Sequence, residues 1–141
     1  MRFWDSSAIV PLVSPEAAST RCRSWLREDE AVLVWALTAT EVISALTRKR
    51  REGAMEPTVF ETSKRRLTLL ETAWSEVTQV EAVRARARRL LESHPLRAAD
   101  ALQLAAALVA VEERPATIPF LTFDDRLADA ARREGFTVMA T

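Results

Sequence analysis

The sequence has one cysteine and one histidine among 141 residues. Cys22 alone allows no intrachain disulfide, and a reducing, cytoplasmic setting is expected for such a chain. With His94 as the only imidazole, no Cys/His zinc site of the usual kind can be assembled. A Ser-His-Asp triad would have to rest on that same His94, which precedes Pro95 in a loop-like stretch. There are only two glycines, Gly53 and Gly135. That excludes a glycine-rich loop cradling a phosphate, and with it the P-loop and dinucleotide-binding fingerprints. No apolar run approaches the roughly 20 residues of a membrane span. The opening MRFWD lacks the layout of a signal peptide, so no targeting segment and no membrane partner are expected. Neither sign of charge prevails, with 20 basic and 20 acidic residues and a net charge of zero. A global basic character, as in many nucleic-acid binders, is therefore missing. The chemical toolkit that remains is carboxylates, hydroxyls and arginines.

Apolar residues make up 48% of the chain, enough for a core and too many for disorder. The length suits one domain, taken as 1–141. Short β-branched or aromatic runs at 2–5, 31–35, 117–123 and 136–139 read as strands, with a weaker fifth at 74–77. They alternate little, as expected of strands covered on both faces. Helical patterns occupy 15–27, 39–52, 57–72, 79–92, 99–112 and 125–134, the first with Pro15 in its opening turn and the last ending at Gly135. Gly53 to Pro57 reads as a turn between helices. In 99–112 Gln103 is the only polar residue from 101 to 111, so this helix is expected to be buried. The order β-α-α-β-α-α-(β)-α-α-β-α-β predicts a three-layer α/β/α sandwich around a parallel sheet of four or five strands.

The basic residues are clumped at 48–51, 64–66 and 84–89. Such runs are usually solvated helix faces, the alternative being one face that follows a phosphate backbone. The acids are more telling. Asp29 and Asp129 read as ordinary surface residues. Asp5 ends the first strand beside Phe3 and Trp4, where an unpaired carboxylate is costly, so it either meets a cation or caps a helix. Asp124 and Asp125 end the run PFLTF. Ligands of open parallel sheets bind beyond the carboxyl ends of the strands. Asp100 opens the most apolar helix, where the helix dipole alone would favour it. Glu41 ends TATE, which has capping-box spacing, as does TQVE at 78–81. Each acid has a structural reading of its own. Gathered in one pocket they would repel, and a hard divalent cation removes that penalty. Oxygen-only ligands point to Mg²⁺ or Mn²⁺.

Four stretches in this order carry a resemblance: DSSAIV from Asp5, TATEVISAL ending its first turn at Glu41, ADALQLA around Asp100, and LTFDDRL around Asp124. Over residues 2 to about 139 the chain resembles PIN-domain proteins, in particular the VapC-type toxin ribonucleases of type II toxin–antitoxin pairs. The resemblance implies an acidic metal-binding quartet of Asp5, Glu41, Asp100 and Asp124, supported by Ser7 and by the hydroxyl of Thr122. It implies an endoribonuclease in which a Mg²⁺-activated water attacks RNA. It also implies a homodimer and a small antitoxin partner. Of the pair Asp124 and Asp125, the periodicity through Leu127 and Ala131 turns Asp124 inward and Asp125 to solvent. Arg97, three residues before Asp100, could pair with a site acid or with substrate phosphate.

Three other readings compete. A phosphotransfer fold of the haloacid-dehalogenase or receiver type would want a second Asp where Ser7 stands, or a lysine near the site, and the only lysines are Lys49 and Lys64. A catalytically silent PIN-like binding module would be insensitive to chelation. A PIN nuclease outside a toxin–antitoxin pair would differ in its neighbouring gene.

Overall fold

Strand alternation builds two cores on one sheet. In the computed structural model, which describes residues 1–140, β1 spans Arg2–Trp4, β2 Val32–Trp35, β3 Ser75–Val77, β4 Phe120–Leu121 and β5 Val138–Met139. Side chains of successive strand residues point to opposite faces. Phe3, Leu33, Trp35 and Phe120 therefore enter one core, while Trp4, Val32, Val34 and Leu121 enter the other. Both faces are covered, which is why these strands read as unbroken apolar runs.

The first core is closed by α5 (Val80–Ser93), α6 (Ala98–Ala110) and α7 (Asp125–Arg133). The second is closed by α1 (Ser6–Val13), α2 (Ser19–Glu28), α3 (Thr38–Arg51) and α4 (Pro57–Ala73). The result is the three-layer α/β/α sandwich expected from the sequence, with the weak strand at 74–77 completing a sheet of five. All pairings are parallel, in the order β3-β2-β1-β4-β5. The chain winds outward from β1 on one side and then crosses to β4 on the other. The carboxyl end of β1 therefore lies at the point where the winding reverses, and Asp5 is the next residue.

Several boundaries differ from the sequence reading. α2 starts at Ser19, not at Pro15, because Ser14 to Ala18 form a turn in which the buried Ser19 hydroxyl donates to Ser14 O and accepts from Glu16 N. The run 117–123 contributes only Phe120 and Leu121 as strand, because a single 3₁₀ turn occupies Pro115–Thr117 and Pro119 has no N–H to give to a ladder. Neither predicted capping box forms: the N-caps are Leu37 and Gln79, one residue away from Thr38 and Thr78, and neither gives its helix a side-chain cap.

Gly135 follows α7 with φ +105, a conformation L side chains rarely adopt, and a Cβ there would lie 2.9 Å from Pro115 Cγ. Gly135→Ala is expected to lower unfolding free energy by about 1–3 kcal/mol through this strain. Urea denaturation checks it, and an unchanged midpoint would contradict the account.

Candidate active site

Asp5 is 2% exposed. It serves as N-cap of α1, its Oδ2 accepting from Ser7 N at 3.3 Å. The same oxygen accepts from Ser7 Oγ at 2.5 Å and from Thr122 Oγ1 at 2.9 Å. Each hydroxyl has one proton and gives it to Asp5, leaving its lone pairs to accept from the backbone. Ser7 Oγ accepts from Phe123 N at 2.9 Å, and Thr122 Oγ1 from Asp124 N at 3.1 Å. The loop after β4 is thus tied to the carboxylate at the end of β1. Oδ1 accepts from Ser6 Oγ at 3.4 Å. One oxygen is held by three donors, whereas this contact of the other is long.

Burial raises the Asp5 carboxyl above its usual range, and the Ser7 and Thr122 hydrogen bonds only partly offset this. Burial likewise pushes Glu41 up to about 7, reinforced by the charges of Asp5 and Asp100 and opposed by hydrogen bonds from Gln103 and Ser6. Asp100 is pushed up to about 6 by burial and by the charges of Asp124 and Asp5, with Arg97 opposing. These acids share an electrostatic environment although they come from four separate stretches of chain. Arg97, an exposed residue at the N-cap of α6, acts on it through its charge.

The four acids are not placed alike. Glu41 and Asp100 line a groove of about 470 Å³ together with Ser6, Ser7 and Phe123. Asp5 is buried and does not line it. Asp124 does not line it either; it is the N-cap of α7, accepting from Leu127 N at 2.8 Å, and is half-buried. Asp125 is exposed in the first turn of that helix. Among the described residues no three acids stand close enough to form a ready-made metal cage. The donor set still fits a hard cation. It is all oxygen, it is short of counter-charge, and Mg²⁺ typically takes one or two carboxylates and completes its shell with water.

Gln103 is the residue whose role the sequence reading missed. It is 1% exposed on α6. Its Nε2 donates to Glu41 Oε2 and, at 3.1 Å, to Thr38 Oγ1. The TATE stretch is therefore held by an amide from another helix rather than by its own cap. A lone polar residue one turn after Asp100, on an otherwise apolar helix, was the available signal. His94 is buried and paired with Glu134, Nε2 to Oε2 at 2.9 Å, so it takes no part in this site. Burial pushes the Cys22 thiol up to about 11, which leaves it an inert core residue.

The comparisons with known proteins agree with this architecture. The PIN domain family profile matches residues 2–133, and the chain belongs to the PIN domain family. No curated protein sequence matches it. Among solved structures it is similar to FitAcB from Neisseria gonorrhoeae, at 18% identity and a TM-score of 0.67, covering 99% of this chain and 96% of that one. It is also similar to PAE2754 from Pyrobaculum aerophilum, at 17% identity and a TM-score of 0.64, covering 97% and 87%. A toxin–antitoxin complex from Klebsiella pneumoniae contains a third similar chain, at 14% identity and a TM-score of 0.63, covering 91% of each. At these identities the likeness is one of fold. No helix among the described residues is long and apolar enough to cross a membrane.

Proposed function

We propose that this protein is a Mg²⁺-dependent endoribonuclease and the toxin of a toxin–antitoxin pair. The observation that carries the reading is the buried Asp5 carboxylate at the end of the central strand. Two hydroxyls and a backbone N–H hold one of its oxygens, beneath a groove lined by Glu41 and Asp100. Membership of the PIN domain family and the toxin–antitoxin context of a similar structure support it.

Asp5 and Asp100 would hold the ion, with Glu41 and Asp124 as further ligands or as groups orienting water; Mn²⁺ would substitute. When bound, the ion would supply charge stabilisation at the scissile phosphate and a more acidic water. The protein's own part is to place the groups. Ser7 and Thr122 fix the Asp5 carboxylate. Gln103 holds Glu41 Oε2. A carboxyl poised near 7 is suited to taking a proton. RNA would enter as a single strand, whose backbone is accessible. An antitoxin would cover the groove, and helices α2 and α4, the latter with Leu69 largely exposed, would supply a homodimer surface.

Cleavage of single-stranded RNA in Mg²⁺, abolished by EDTA, is the direct test. A silent binding module would show neither effect. The two adjacent acids give a sharper one. Asn caps helices about as well as Asp, so Asp124→Asn keeps the α7 cap and removes only the charge facing Asp100. It is expected to lower cleavage by about 10–100-fold, the range seen for groups supporting a metal site. Asp125→Asn is expected to cleave as the wild type does. The reverse pattern would overturn the assignment of Asp124.

A further inference from the structure

Residues 41, 44, 45, 48 and 49 fall on one stripe of α3, at the spacing that stacks side chains on one helix face. Glu41, Ser44, Ala45, Arg48 and Lys49 accordingly all line the groove that holds Asp100. Arg48 and Lys49 stand seven and eight residues from Glu41, roughly 10–12 Å along the axis. That offset along the groove suits a phosphate next to the one at the acids.

The basic run 48–51 is not one solvated patch. Arg50 lies over the Phe60 ring, 4.4 Å from its centroid, and is committed to packing. Arg48 is exposed and makes no ion pair among the described residues, whereas Lys49 is paired with Glu16. Glu16 lines the same groove from the opposite side, in the turn between α1 and α2. That turn is fixed by the buried Ser19 hydroxyl, which accepts from Glu16 N at 2.9 Å and donates to Ser14 O at 3.1 Å. A carboxylate is thus held across the mouth of the groove against its lysine.

We infer that Lys49 and Arg48 form a subsite for a non-scissile phosphate of single-stranded nucleic acid, and that Glu16 occupies Lys49 until that phosphate displaces it. This rests on the nuclease reading above. Glu16 meets one cation, whereas a phosphodiester placed there meets two. The Glu16–Lys49 pair is about 30% exposed on both sides, so it is a weak competitor, worth about fivefold or less in an equilibrium constant. It lowers the attraction of the groove for stray anions without closing it to a polyanion that engages both cations.

The test is binding of a labelled single-stranded oligoribonucleotide in EDTA, followed by fluorescence anisotropy over a salt series. Lys49→Gln is expected to bind about two- to fivefold more weakly, with a salt slope shallower by about 0.7. Glu16→Gln is expected to bind about two- to fivefold more tightly, and this gain is expected to vanish in the Lys49→Gln background. Lys49→Arg, which keeps the charge, should stay near wild type. Arg114→Gln removes an exposed cation beyond the far end of α6 and should do the same. Equal affinities for wild type, Glu16→Gln and Lys49→Gln would overturn the subsite, as would absence of binding by any of them. A Glu16→Gln gain that persists in full without Lys49 would overturn the masking role. Cleavage of the same RNA in Mg²⁺ separates the two readings. Cleavage with equal affinities sinks the subsite alone, whereas the expected order of affinities without cleavage sinks the nuclease alone.

Discussion

Asp5→Asn is expected to abolish Mg²⁺-dependent RNA cleavage while leaving the fold intact. Asn nearly matches Asp in shape. Its amide oxygen can take the place of Oδ2 and accept from Ser7 and Thr122, so the tie between β1 and the loop after β4 survives. What is lost is the charge on a carboxylate 2% exposed. Groups one layer out from a metal are commonly worth about 10–100-fold, so loss of a direct ligand should exceed about 100-fold. The same substitution removes a buried charge that desolvation disfavours. In EDTA the melting temperature is therefore expected to be unchanged or raised. Steady-state cleavage and thermal melts of the same preparation decide it. Wild-type cleavage by the variant would remove Asp5 from the site, and a lowered melting temperature in EDTA would mean that the charge itself holds the fold together.

How much of this is legible in the sequence depends on the range of the interactions involved. The sheet is legible because strands buried on both faces leave an unbroken apolar trace; β3, with Ser75 and Glu76 exposed and only Val77 buried, leaves the weakest one. α1 has a place in the predicted order of elements, but its range is not legible. Its eight residues, SSAIVPLV, are apolar nearly all round and contain Pro11, so they show neither helical periodicity nor a usual length. The start of α2 is set by the Ser14–Ser19 turn, which outweighs the helix-start preference of Pro15. TATE matches a capping box in spacing, yet Thr38 is fully buried and spends its hydroxyl on Gln103. A sequence pattern cannot show which of two partners a side chain will choose when the second arrives from 65 residues away.

The acids illustrate the same limit. Asp5 and Asp124 are both helix caps, a role the sequence reading allowed for Asp5 and did not consider for Asp124. For Asp5 that reading is also incomplete, because capping engages Oδ2 and leaves Oδ1 with a long contact. Capping and ligand binding are compatible when a carboxylate divides its two oxygens between them. Proximity in the fold, which the order of motifs could only suggest, is what couples Asp100 to Asp124 and Asp5.

The coupled acids make stability depend on pH and on metal in a predictable direction. Glu41 is held at about 7 and Asp100 at about 6, both above their ordinary values of 4.5 and 3.8. Between these limits the folded chain binds more protons than the unfolded chain. Stability therefore falls as pH rises through this window, and it levels off above about 7. Glu134 has the opposite sign. Burial acts against its ionised form, but hydrogen bonds from His94 and Arg86 hold it below its usual range. Its contribution is present above the ordinary value and is lost in acid. The metal-free protein should accordingly be most stable in mild acid, with a melting temperature several degrees higher at pH 5.5 than at pH 8. Mg²⁺ should reverse this order. On the proposed reading the ion needs the carboxylates ionised and binds only the folded chain, so its stabilisation should grow with pH. Calorimetric scans at the two pH values, in EDTA and in millimolar Mg²⁺, measure all four states. A Mg²⁺-induced rise that is equal at both pH values would mean that the ion binds elsewhere. A metal-free protein more stable at pH 8 would mean that the acids are not crowded together as described.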